Sequence, residues 1–237
     1  MKKLSLIFPM LVISAIMTAA PKPLRVVVLG DDPMMVSDET AGSVGYATML
    51  QPMFDELVTV DVQATATLLP DDPAVLLEPA HKGDVALLCK RPVEAIAEDK
   101  VASDIYLDQL LAIAQAAKKK GVKLVWLTPA APRYFTAEGT QVHRMGIYPD
   151  VIRRMCKRDA LQCIDVEQIT FDWLTTAGMD STAAAFVPVQ PATPVAAGKV
   201  AREGNLLTEA GAQQVATLIA EAIRADKHNI LNKRLRQ

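Results

Sequence analysis

Short, largely apolar runs punctuate the chain at spacings of a few tens of residues: Leu24 to Leu29, Leu57 to Val62, Asp84 to Cys89, Lys123 to Thr128 and Leu161 to Val166. Runs so rich in Val, Ile and Leu suit strands covered on both faces, as in a parallel sheet. Helical periods lie between and after them. Tyr106 to Lys120 places Leu107, Leu110, Leu111 and Ala114 on one face and stops at Gly121. Tyr148 to Lys157 and Thr208 to Ala225 read the same way; in the second, Thr208 caps the start and Val215, Leu218, Ile219 and Ala222 form the buried stripe. Alternating strand and helix implies right-handed crossovers and an α/β class, a three-layer doubly wound parallel sheet. Such sheets bind ligands past the carboxyl ends of their strands. That directs attention to the loops opening at Gly30, Ala64, Lys90 and Pro129. The long Pro-, Ala- and Val-rich stretch from Val187 to Gly204 reads as a surface loop before the last helix.

The amino terminus reads differently. Lys2 and Lys3 precede an apolar run from Leu4 to Met17, too short to span a bilayer, and Thr18, Ala19 and Ala20 supply the small residues of a cleavage site. Residues 1–20 are therefore expected to be a signal peptide and residues 21–237 one exported domain, periplasmic or secreted, with no membrane span after signal removal. An oxidising destination permits a disulfide. Of the three cysteines, Cys156 closes a predicted helix and Cys163 opens the next strand, so a bridge across that corner is an expectation if their Cα atoms are close enough, with Cys89 left in the core.

Composition narrows the function. At 51% hydrophobic, 237 residues bury a core without metal or disulfide staples. A formal charge of −2 with dispersed Lys and Arg argues against nucleic acid as a partner. At 5% aromatic content no stacked sugar platform is evident.

Several stretches, taken in order, resemble the SGNH or GDSL esterases, and within them the rhamnogalacturonan acetylesterase-like branch. Val26 to Leu29 run into Gly30-Asp31-Asp32, where the family has Gly-Asp-Ser. Gly45-Tyr46 leading to Leu50 is similar to its Gly-Trp-Gly helix start, and Lys82-Gly83-Asp84 followed by Val85 to Leu88 to its Pro-Gly-Asp and apolar strand. Leu127-Thr128-Pro129, Arg133, Phe135, Gly146 and Tyr148, Ile164-Asp165 and Leu207 to Ala212 complete the order. The resemblance implies a flavodoxin-like strand order, 2-1-3-4-5, and an esterase acting on carbohydrate.

The same resemblance fails at the chemistry. The family attacks its ester with the serine of Gly-Asp-Ser, activated by a histidine held by an aspartate, with glycine and asparagine donors for the oxyanion. Here the serine position carries Asp32, the oxyanion asparagine Val93, the triad aspartate Glu203 and the histidine Leu206, and no glycine lies at 65–69. A carboxylate where negative charge must develop, and a leucine where a proton must be taken, leave no route to the serine mechanism. The sequence therefore points to a non-catalytic binding or assembly protein in carbohydrate processing, with polysaccharide, an acidic sugar or another protein as partner.

The alternative is an active carbohydrate acetylesterase with relocated groups. Of the three histidines only His143 lies on the cleft side, where it would need a nucleophile such as Ser37, Ser43 or Thr128. The remaining cleft candidates are Asp31, Asp32, Lys90, Arg91, Arg133 and Asn205. Asp31 and Asp32 are an incomplete ligand set for a divalent cation, so neither metal nor cofactor is expected. Asp32 is instead expected to be engaged by Lys90, Arg91 or a backbone N–H of the following turn. The basic tail from Asn229 to Gln237 is expected to be solvated.

Overall fold

The computed structural model describes residues 22–64, 73–91, 100–188 and 204–236. The expected signal peptide lies outside them. So do Val93, Glu203, residues 65–69 and most of the loop between 187 and 204.

Five parallel strands form one sheet in the order β2-β1-β3-β4-β5. They are β1 (Leu24–Gly30), β2 (Val58–Ala64), β3 (Val85–Cys89), β4 (Lys123–Leu127) and β5 (Gln162–Ile164). The reversal of order around β1 makes its carboxyl end the topological switch point, where such sheets open a crevice. Side chains alternate across the sheet and build two cores. Val26, Val28, Leu87, Val125 and Leu127 face one side, against Leu174 and Val215, Ile219 and Ile223. Val27, Leu29, Leu88 and Trp126 face the other, against Tyr106, Leu110, Ile113, Ile152 and Met155. The helices on the two faces are α1 (Pro73–Leu76), which adds Leu76, α2 (Lys100–Lys120), α3 (Tyr148–Arg158), α4 (Val166–Ser181) and α5 (Glu209–Ala225). Helices α4 and α5 cover the first face and α1, α2 and α3 the second, giving the three layers. Among the described residues no helix is long and apolar enough to cross a membrane.

Two sequence expectations need correction. The fifth apolar run does not stay extended to Val166: the strand ends at Ile164, and Asp165 becomes the N-cap of a helix the hydrophobic pattern did not reveal. The Asp165 side chain accepts from the Gln168 N–H. The carboxyl-terminal tail is not solvated either. Leu231 is fully buried, Leu235 bridges to Phe54, and backbone bonds tie Arg234 to Asp55 and Arg236 to Met53. The tail seals the open edge of the first core beside β2.

Candidate functional site

Among the described residues, the switch point is cross-linked by residues that β1 and β3 deliver to it. At Gly30 a Cβ would sit 2.3 Å from the Cys89 carbonyl oxygen and 2.4 Å from the Met35 Cε, so only glycine lets the chain leave the sheet here. Gly30 is in register with Cys89, and one step further Lys90 lies beside Asp31. The Lys90 Nζ donates to Asp31 Oδ2 at 2.6 Å, with the two side chains 0% and 2% exposed. The other Asp31 oxygen accepts the Arg91 N–H at 2.9 Å, and the Tyr106 hydroxyl donates to the Lys90 carbonyl at 2.5 Å.

Asp32, also buried, is held by backbone. Its Oδ1 accepts the Met34 N–H at 2.9 Å and its Oδ2 the Ala130 N–H at 2.7 Å, which staples the β1 loop to the β4 loop. Burial pushes its carboxyl above the ordinary carboxylate range, although the two N–H bonds and the nearby Arg91 charge pull the other way. Of the three partners expected for Asp32, the N–H of the following turn is one it uses. Lys90 serves Asp31 instead, and Arg91 acts on Asp32 only through its field. Cys89, the other nucleophile in reach, points its thiol at Asp32 Oδ2 from 3.9 Å. Burial and that carboxylate hold the thiol well above its usual range, so it is chemically quiet.

The remaining candidates scatter. Arg133 is buried rather than presented to a ligand: its Nε donates to Thr182 Oγ1 at 3.1 Å and its NH2 group to the Met179 carbonyl at 2.5 Å, fastening the β4 loop to the end of α4. Asn205 is exposed, and the half-buried Leu206 gives its carbonyl to the Val187 N–H at 2.9 Å. His143 stacks on Phe171 at 3.6 Å between centroids and bonds through Nδ1 to Glu167 Oε1 at 2.8 Å. None of its expected nucleophiles meets it. Ser37 Oγ accepts from Gly45, Ser43 closes the turn with Asp38, and the buried Thr128 donates to Asp165 and accepts from Glu167.

The cluster around His143 contains residues that sequence reasoning passed over. The Arg153 guanidinium on α3 reaches Asp165 through Nε at 2.7 Å, Asp150 at 2.7 Å, and Glu167. These carboxylates hold the guanidinium above its ordinary range. The cue available was Asp165 three residues before Gln168, a helix-start pattern that would have put Glu167 in a first turn beside β5. Arg91 lies just past β3, half-buried, and its buried Nε has no partner among the described residues. No group of three or more His, Cys, Asp or Glu side chains suited to a metal occurs among the described residues. At the other corner, Cys156 and Cys163 are free thiols in mutual contact.

No family model matches the chain, and no curated protein matches it. Solved structures do. The YXIM protein of Bacillus subtilis matches with a TM-score of 0.64 at 16% identity, over 89% of this chain and 58% of that one. This chain thus spans little more than half of that protein's length. The acetylxylan esterase Axe2 of Geobacillus stearothermophilus matches at 0.51 and 14% identity, over 86% of this chain and 94% of the esterase. A protein assigned to the G-D-S-L lipolytic family from Desulfitobacterium hafniense matches at 0.51 and 13% identity, over 84% and 98%. The strand order is theirs as well. The chain has the SGNH hydrolase fold. Doubly wound sheets bind ligands past the carboxyl ends of their strands, and among the described residues that end of β1 carries the Asp31–Lys90 pair and the backbone-bound Asp32.

Proposed function

We propose that this is a catalytically silent SGNH-fold protein of the rhamnogalacturonan acetylesterase-like branch, exported, and acting by binding in carbohydrate processing. Its ligand class is polysaccharide or an acidic sugar, with assembly onto another protein as the second use of the same surface. The observation that carries the reading is Asp32. It stands where the resemblance puts the serine nucleophile, and both its oxygens are spent on the Met34 and Ala130 N–H groups. A hydroxyl nucleophile and a histidine base are the minimum for this chemistry, and among the described residues His143 meets only Glu167 and Phe171. Arg91, half-buried just past β3, is the cation assigned to meet an acidic sugar.

The test is labelling with a fluorophosphonate, which modifies activated serines whatever their substrate, read by intact mass. The mature protein should stay unmodified while an active SGNH esterase labels in the same tube. An adduct on any serine would overturn the reading. Binding is tested by affinity electrophoresis through acidic galacturonan: retardation should weaken in Arg91→Ala. Mobility the same with and without galacturonan would remove acidic polysaccharide as the ligand class.

A further inference from the structure

The corner between α3 and β5 places two sulfurs together. Cys156 lies on the last turn of α3, buried in the second core, and Cys163 is the central residue of β5, packed against that same core and half-exposed. The connection is short and tightly closed. Ala160 takes a left-handed conformation with φ 51°, and the Leu161 N–H returns to the Cys156 carbonyl at 2.9 Å. The turn thus aims the strand's first residues back along the helix that precedes it. Contact with Cys163 and burial together hold the Cys156 thiol well above its ordinary range. The corner also carries the Arg153 cluster, since Arg153 on α3 grips Asp165 and Glu167 just past β5.

We propose that Cys156 and Cys163 form a redox-responsive pair that closes to an intramolecular disulfide by exchange with a small-molecule disulfide or a disulfide-bearing oxidoreductase. Cys163, the more exposed sulfur, attacks the oxidant's disulfide as its thiolate. An S–S bond forms to one half of the oxidant, and the other half leaves as a thiolate. Cys156 then attacks Cys163 Sγ, forming the internal bond and releasing the second thiolate. The two protons lost by the cysteines end on the two released thiols; the protein is oxidised by two electrons and the oxidant's disulfide is reduced. Cys156, buried and shielded from the oxidant, resolves the mixed disulfide rather than forming it. Closure locks α3 onto β5 and fixes the Arg153 cluster.

The test uses the full purified chain, first reduced and then equilibrated with oxidised glutathione. Thiols are counted in the denatured, unreduced protein. One free thiol of three should remain. After trypsin, the peptide Met155–Lys157 should be found joined to the peptide that begins at Asp159. The oxidised protein should melt a few degrees higher than the reduced one, and Cys163→Ser, which has no partner to close on, should show no such rise. Three free thiols after equilibration, a bridge or mixed disulfide involving Cys89, or a glutathione adduct on Cys163 that never resolves would each overturn the proposal.

Discussion

Replacing Lys90 by methionine leaves the Asp31 carboxylate buried without its counter-ion. Methionine keeps the length and most of the apolar volume of the lysine stem, so the perturbation is chiefly electrostatic. The two side chains are 0% and 2% exposed and 2.6 Å apart, so neither charge is shared with water. Removing one member of so buried a pair costs about 3–5 kcal/mol, mostly the penalty on the orphaned partner. The Arg91 N–H still donates to Asp31 and keeps the cost toward the lower end. Against a total stability of about 5–15 kcal/mol that is a large share. At about 2–4 °C per kcal/mol for a domain of this size, the melting temperature should fall by about 6–20 °C. Urea unfolding followed by circular dichroism reads the change directly. The double variant Lys90→Met with Asp31→Asn should recover most of the loss, because the amide oxygen keeps the Arg91 bond while the charge is gone. A loss below about 1 kcal/mol in Lys90→Met, the range of exposed pairs, would refute Lys90–Asp31 as a buried, unscreened pair.

Asp32 has its own pH signature. Its folded carboxyl is raised above the ordinary 3.8 by burial. The folded state therefore holds this proton more tightly than the unfolded chain, and stability falls as pH rises from about 4 through the raised value. Wild-type stability minus that of Asp32→Leu should decline across that window and then level; a flat difference would mean that Asp32 is ionised at no cost. In the tail, Leu231→Ala empties a fully buried site beside the first core and should cost about 2–5 kcal/mol in urea unfolding. A change under about 0.5 kcal/mol would show that the tail does not seal the core.

The uniformly apolar strands made the sheet legible, since a parallel sheet covered on both faces admits little else. Periodicity does not encode strand order; the resemblance supplied 2-1-3-4-5. Helix α4 escaped because its apolar positions share no single stripe and Thr170, Thr175 and Thr176 are poor helix formers, while Gly178 sits at φ 80° in a kink. Tertiary packing of Leu174 into the core holds it in place all the same. At the site, the residues were legible and their pairings were not. Lys90 meets Asp31 rather than Asp32 because Gly30 and Cys89 are in register, a fact of strand pairing that lies between segments and within neither. Arg133 was legible as a cleft candidate because its charge was visible, and its backbone acceptor at Met179 was not. Arg153 and Glu167 were invisible for the complementary reason: they meet only once α3 and α4 are packed on β5.

Catalytic silence, as proposed, means that this fold does not run serine ester hydrolysis. The measurement that tests it most directly is release of acetate from acetylated polysaccharide and from a chromogenic acetate, comparing the mature protein with Asp32→Ala and His143→Ala. All three should give the same background rate, because Asp32 supplies no hydroxyl and His143 no nucleophile to activate. Asp32→Ser should stay at that background as well, since a serine without a base gains little. Turnover by the unaltered protein well above Asp32→Ala, or turnover lost in His143→Ala, would contradict catalytic silence.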